Sequence, residues 1–475
     1  MLINKKIMCS MKSSRRGFIK KAFGSALAAS AVPSVLLGND KLNVVELKAP
    51  SLPPKTYGAN DQVNVAVIGM GIMGYNNAAT TVQIPGVKLV AACDLYTGRL
   101  DHAEEVYGKD IFTTKNYKEI LDRKDIDAVI IATSDHWHDH ISIAAMNKGK
   151  HVYCEKPMVH HLDEGEAVIA AQKKTGKVFQ VGSQRVSSIV TLKAKEIFES
   201  KVIGDLVLVE TWNDRQGPNG AWQYSIPTDA QAGTVDWENF FGDAPKIPYD
   251  PVRFFRWRNY QDYGTAMAGD LFVHLFSALH AITSSKGPNR IYATGGLRYY
   301  KDGRDVPDVL TSVHDYPESD KHSAFNLQMW VNFVDGNHGG ERVRLVGSEG
   351  IITVGWDSVK VDRSKTSKAP GYGGWDSFNT FTEAQQKEYE KWYKAKYPTE
   401  KPAIVEPGME YKAPEGYNTN IDHHLSFYNG IREGTPIVED ALFSMRAAGP
   451  ALAANKSYFE KRIINWNPET AKLVS

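Results

Sequence analysis

The densest chemistry-bearing pattern in the chain is Gly69-Met70-Gly71-Ile72-Met73-Gly74, which follows the apolar run Val63 to Ile68 and opens a stretch of helical character. Twenty residues after Gly74, closing the run VKLVAACD, stands Asp94. A strand, a glycine-rich turn and a helix, answered by an acid at that distance, are the parts needed to hold a dinucleotide. Gly69 permits the tight turn, Gly71 lets the backbone approach a pyrophosphate, and Gly74 lets helix and strand pack closely. The amides of the helix N-terminus face the negative charge, with Met70, Ile72 and Met73 completing the cradle. The Asp94 carboxylate is expected to accept hydrogen bonds from a ribose 2′-hydroxyl and to repel a 2′-phosphate, so the expected cofactor is NAD rather than NADP.

The elements that must position these groups alternate in type. Helical patterns over 98–107, 116–123, 139–149 and 163–175 are separated by short apolar runs at 127–133, 151–154 and 177–182. That alternation predicts an α/β fold with a doubly wound parallel sheet, in which ligands gather at the carboxyl ends of the strands. Those ends carry Thr133-Ser134-Asp135-His136-Trp137-His138, Glu155-Lys156-Pro157 and Gln184-Arg185. Further on, Asp270 and His274 lie four apart in DLFVHLFSALHAI, so on a helix they share a face and can reach one hydroxyl together.

Several histidine groups invite a metal reading. His136, His138 and His140 alternate, but the spacing lacks the cysteine or carboxylate of an ordinary zinc site. His160-His161 and His423-His424 are adjacent pairs, and adjacent side chains diverge on either a helix or a strand. No metal is therefore expected.

Composition narrows the class. A chain of 475 residues with 42% hydrophobic and 23% charged residues is an ordinary globular protein with room for two or three domains. Its net charge of +1 includes seven cations and no acid within residues 1–31, and the remainder carries 49 basic against 55 acidic residues. A nucleic-acid partner is not expected from that balance. Ser14-Arg15-Arg16-Gly17-Phe18-Ile19-Lys20, the apolar run Ala22 to Leu37 and Ala29-Ser30-Ala31 read as a twin-arginine export signal over residues 1–31, implying a periplasmic protein. Residues 32–60, with Pro33, Pro50, Pro53 and Pro54, read as a linker. Residues 61–183 then form the nucleotide domain and 184–475 a second domain. Cys93 and Cys154 sit in apolar strand contexts and read as core thiols, whereas Cys9 falls in the leader.

The chain resembles the glucose–fructose oxidoreductase / inositol dehydrogenase (Gfo/Idh/MocA) family. The resemblance rests on VAVIGMGIMG, Cys93-Asp94, TSDHWHD at 133–139, GKHVYCEKPM at 149–158, GTAMAGDLFVHL at 264–275 and EDALFSMRAAGPALAANKSY at 439–458. Ser134 departs from the proline that the family usually carries. The resemblance implies a second domain with a large, open, mostly antiparallel sheet, for which 205–212, 323–334 and 350–361 are the candidate strands. It further implies a tail that packs back on the nucleotide domain and a homo-oligomer, dimer or tetramer. Lys156 of the EKP motif, Asp270 and His274 are then the catalytic candidates, with the division of base and relay roles left open. Thr133, Trp137, His138, Glu155 and Lys156 itself join the cofactor site. Arg185, Asn213 and Trp257 are weaker substrate candidates.

The aromatic-dense stretch 235–264 resembles exported members and reads equally as a sugar-binding surface or as core. The resemblance implies oxidation of a sugar or glycoside ring hydroxyl, at C3, whose keto product a partner lyase or hydrolase would consume. The alternative is a glycoside hydrolase that uses NAD transiently, like the family's α-N-acetylgalactosaminidases. A two-sugar oxidoreductase is disfavoured by Asp94, since that type holds NADP, and a non-catalytic binding role by the presence of Lys156, Asp270 and His274. For 362–420, a surface excursion or lid is expected.

Overall fold

Six short strands form one sheet, every neighbouring pair parallel, in the order Phe112–Thr114, Val87–Cys93, Val63–Ile68, Ala128–Ile131, His151–Cys154, Phe179–Val181. This computed structural model describes residues 43–50, 57–58, 61–335, 340–365, 369–398 and 404–474. The export signal of residues 1–31 lies outside them. Near-continuous burial of the central strands explains why they read as apolar runs without alternation: helices cover both faces of a parallel sheet. The crossover helices span Ile72–Thr81, Thr97–Tyr107, Tyr117–Asp122, His138–Asn147 and Gly165–Thr175, within a few residues of the predicted ranges. Cys93 and Cys154 are buried free thiols.

The second sheet has eleven strands among the described residues and is antiparallel apart from two pairs, Asn43–Glu46 with Ile404–Lys412 and Leu206–Asp214 with Phe325–Asn332. The strand expected over 350–361 is two strands, Gly350–Val354 and Ser358–Lys365, folded back on each other at Gly355. Two further expectations are corrected. Asn43–Glu46, within the stretch read as a linker, adds an edge strand, because Val44-Val45 between polar residues suits an edge pairing better than coil. Within 362–420, residues to Lys365 and from Ile404 to Lys412 belong to the sheet.

Between those strands the described residues 369–398 belong to a separate unit. Its described part holds the helix Glu383–Lys396, started by a capping box of Thr382 and Gln385. Tyr389 gathers Tyr372, Phe378 and Phe381 into an aromatic cluster on this helix.

The helices Thr419–Glu433 and Ala441–Glu460 return to the nucleotide domain. Phe427 and Tyr428 share a core with Val65, Val67 and Ile130 of its strands. His423 donates to the Val181 carbonyl at 2.8 Å, and the His424 ring stacks on Tyr153.

Burial pushes His136 and His423 down to about 4, and His280, His314 and His424 down to about 3. In the unfolded chain these rings titrate near about 6.5. Below that value the unfolded state binds more protons than the native one, so their contribution is intact above pH 6.5 and is lost as pH falls toward the folded values. We expect the thermal midpoint to drop steadily from pH 7 to 5, with up to about five protons taken up on unfolding near pH 5. Calorimetry across that range checks this, and a flat profile would contradict it.

Candidate active site

The nucleotide cradle is built by close approach. Gly69 has φ +93°, and a Cβ there would stand 2.6 Å from the Ala132 carbonyl carbon. A Cβ on Gly74 would stand 1.9 Å from the Gly69 carbonyl oxygen, so strand and helix touch only because neither residue has a side chain. Gly71 differs: its nearest neighbours are Arg99 atoms at 3.9 Å, which leaves space in front of the helix. No side chain caps the helix that starts at Ile72, so its first amides are open to an anion. Space at Gly71, uncapped amides and an acid at the next strand end together fit a dinucleotide.

Asp94 is buried and already engaged: Oδ2 accepts the Met70 amide at 2.7 Å and Oδ1 the Tyr96 amide at 2.9 Å. A ribose hydroxyl would share these oxygens with Arg99 Nη1, which donates to Oδ1 at 3.4 Å and Oδ2 at 3.3 Å. Arg99, which the sequence reading missed, brings Nη1 to 3.3 Å from Asp94 and stacks over Phe255 at 5.2 Å. Its spacing of five residues beyond Asp94 was the available signal. Replacing Asp94 by Ser removes the anion and leaves the cation, so preference should move toward NADP by about tenfold in the ratio of dissociation constants. Fluorescence titration with both cofactors checks this, and an unchanged ratio would refute it.

A cleft of about 380 Å³ runs from Gly69, Gly71 and Asp94 past Thr133 and Trp137 to Lys156 and Trp257. Lys156 comes from the end of the strand His151–Cys154, and its Nζ lies 2.9 Å from Asp270 Oδ1 and 2.9 Å from the Asp270 carbonyl oxygen. Asp270 belongs to the second domain and sits in a π-turn, Ala268–Phe272, that leads into the helix Val273–Thr283. The expected uniform helix is thus widened by a turn of the kind that clusters at functional sites. Arg258 Nε adds a third contact at 3.1 Å from Asp270 Oδ1. Burial opposes ionisation of Asp270, but the charges of Lys156, Arg258 and Arg215 overcome it and hold the carboxyl well below its usual range. His274 is pushed well below the usual histidine value by burial and then by the Lys156 charge, and its Nδ1 is buried without a protein partner.

The remaining sequence candidates divide. Thr133, Trp137, His138 and Glu155 all border the cleft. His138 faces the Pro157 carbonyl at 2.7 Å through Nδ1 and the Thr133 carbonyl at 3.3 Å through Nε2, so it props the two strand ends. Glu155 accepts from Asn77 at 2.9 Å and Gln184 at 3.2 Å, which ties the same loop to the first helix. The Phe240 carbonyl accepts from Trp137 Nε1 at 2.9 Å and faces His136 Nε2 at 2.8 Å, while His140 pairs with Asp139 and Asp243. The three alternating histidines therefore serve separate partners.

Asp270 and His274 do not border the cleft themselves, and neither do Arg185 and Asn213. The latter two converge on the buried Glu341, one through each carboxylate oxygen, and Arg185 also lies 4.9 Å over Trp356. Of the three weaker substrate candidates, Trp257 alone borders the cleft. The aromatic stretch is mostly a core cluster around Trp237, Phe241 and Tyr263, with Phe240, Phe254, Phe255 and Trp257 presenting edges to the cleft.

One expectation is overturned outright. His160 and His161 do not diverge: their ring centroids are 4.1 Å apart, because residues 155–164 form a loop in which neither strand nor helix geometry applies.

The chain thus joins a parallel dinucleotide sheet to a large, mostly antiparallel sheet, and a buried lysine–aspartate pair has its lysine at the cleft. Residues 63–183 match the family GFO_IDH_MocA, described as an oxidoreductase family with an NAD-binding Rossmann fold. Residues 63–183 are thus similar to the NAD-binding domain of that family. The chain is 34% identical over 157 residues to scyllo-inositol 2-dehydrogenase (NAD(+)) of Bacillus subtilis, which is 33% of this chain and 46% of that one. It is 32% identical over 161 residues to a glycosyl hydrolase family 109 protein of Shewanella baltica, covering 32% of this chain and 33% of that one. The chain spans less than half the length of the curated relatives it matches. The scyllo-inositol dehydrogenase of Lactobacillus casei, solved with NAD(H) and scyllo-inositol, shares the fold at 17% identity and a TM-score of 0.57, over 85% of this chain and 99% of that one.

Proposed function

We propose that the protein is an NAD-dependent oxidoreductase that converts a ring hydroxyl of a sugar or glycoside, at C3, to a ketone. The observation that carries this reading is the pairing of Lys156, which borders a cleft that fits a dinucleotide, with the buried Asp270. Bound NAD would supply the hydride acceptor. The chain must then take the hydroxyl proton, a task shared in this reading by Lys156, which borders the cleft, and the neutral His274. Two hydrogens of the Lys156 ammonium face Asp270, and the third is available to the oxygen that loses its proton. Asp270 keeps its charge and fixes both Lys156 and Arg258. Trp257 offers an apolar surface to a sugar face, and the charge of Arg185, held by Glu341, adds to the groups that keep His274 neutral.

The glycosyl hydrolase relative supports a second reading, in which oxidation is transient and the glycosidic bond is lost by elimination before re-reduction. Mass spectrometry of products from glucosides and N-acetylgalactosaminides, with and without added NAD, separates the two. A glycoside short of two hydrogens supports the dehydrogenase and a downstream lyase or hydrolase that consumes the ketone. Free sugar of unchanged mass, without net NAD consumption, supports the hydrolase.

Export to the periplasm is part of the proposal and rests on Arg15-Arg16 and the apolar run that follows. No free nicotinamide pool exists there, so the enzyme would carry its NAD with it. Self-association is part of the proposal and would use the open face of the large sheet, where Tyr292 and Val313 are exposed and paired on adjacent strands.

A further inference from the structure

The loop that carries Lys156 continues into a second cluster that the proposed reaction does not use. His160, His161 and Glu164 each bring one ligating atom within 4.8 Å of the other two. The cluster is preset by its own hydrogen bonds. His160 Nε2 faces the carbonyls of Gln261 at 2.9 Å and Gly264 at 3.2 Å, so it carries the ring proton and leaves Nδ1 as a lone pair. A ligating histidine is commonly oriented in this way, with its far nitrogen donating to a carbonyl. Glu164 Oε2 accepts the His160 amide at 2.8 Å and the His161 amide at 2.9 Å, which aims the carboxylate at the two rings and leaves Oε1 for a cation. His160 is buried, Glu164 partly so, and His161 is exposed on a cleft bordered by Leu162, Asp163 and Gln261, which supplies an entry path.

We propose that His160, His161 and Glu164 bind a divalent transition-metal ion of the zinc type. Two imidazoles and one carboxylate form a borderline donor set that leaves a fourth, tetrahedral position to water. The bound ion fastens the loop 155–164 to the segment 261–264 through His160, and so stiffens the support of Lys156 from outside the cofactor cleft. The proposal does not depend on which sugar reaction the protein performs.

The test uses the full chain, treated with a chelator, dialysed and titrated with Co²⁺ while visible absorption is recorded. One Co²⁺ per chain with ligand-field bands of tetrahedral intensity, displaced by Zn²⁺, is expected, together with a rise of about a few degrees in the thermal midpoint with Zn²⁺. His161→Ala changes an exposed ring, and Glu164→Gln keeps the acceptor for the two amides. Each should abolish the bands and weaken binding by at least about tenfold. His102→Ala, an exposed histidine on another helix, should leave binding unchanged. Absence of saturable one-to-one binding, or binding that His161→Ala and Glu164→Gln leave intact, overturns the proposal.

Discussion

Lys156→Met should lower kcat by about a thousandfold while leaving the NAD dissociation constant within a few-fold of the parent. The argument is geometric. Lys156 Nζ is committed to both oxygens that Asp270 offers at 2.9 Å, so its remaining hydrogen is fixed in direction at the substrate end of the cleft. Methionine retains the length of the side chain and removes the donor. The Asp270 charge stays partly compensated, because Arg258 Nε lies 3.1 Å from the same oxygen. The thermal midpoint should therefore fall less than it would for a buried carboxylate stripped of every cation, which costs about 3–5 kcal/mol. Single-turnover kinetics with NAD binding measured on the same sample decide the matter. A kcat within tenfold of the parent would remove Lys156 from the chemistry.

Gly71→Val and Gly74→Ala should fail in opposite ways. At Gly71 the backbone is extended, with φ −79° and ψ −161°, and the nearest atoms to a Cβ are those of Arg99 at 3.9 Å. Valine can be placed there without backbone strain, so the folded chain should melt within about 3 °C of the parent. The branched side chain instead fills the space in front of the uncapped helix amides, and NAD affinity should fall by at least about a hundredfold, roughly 2.7 kcal/mol. At Gly74 even a methyl group meets the Gly69 carbonyl oxygen at 1.9 Å, so the strand and helix must separate. Overpacking of that kind costs about 1–3 kcal/mol or more, and the variant should be less stable as well as unable to bind. Melting curves alongside NAD titration for both variants test the contrast. Loss of stability at Gly71, or none at Gly74, would show that the cradle is built otherwise.

The parallel sheet was legible because its signals are local. Each buried strand is a short apolar run, each helix a periodic stretch, and the glycines and Asp94 stand at spacings set by one βαβ unit. The second sheet was legible only in part. Edge and hairpin positions depend on partners far away in sequence, so Asn43–Glu46 passed for a linker, and the fold-back at Gly355 was hidden inside one continuous β-like run. The long segment after Lys365 offered no periodicity that announced a further strand at Ile404–Lys412.

At the site the same division holds. The amino-acid order alone pointed to the nucleotide cradle and the acid at the next strand end, and the family resemblance to Lys156, Asp270 and His274. Tertiary structure decided the partners. Arg99 reaches Asp94 from the next helix, Arg258 reaches Asp270 across a π-turn, and Arg185 and Asn213 turn from the cleft to Glu341. It also decided that His160 and His161 converge, since the rule that separates neighbouring side chains holds on helices and strands but not on the loop that carries them. Spacing along a chain specifies contacts within one element and its immediate neighbour; pairings between elements form only when packing brings distant segments together, and the charges then settle on whichever partners burial leaves within reach.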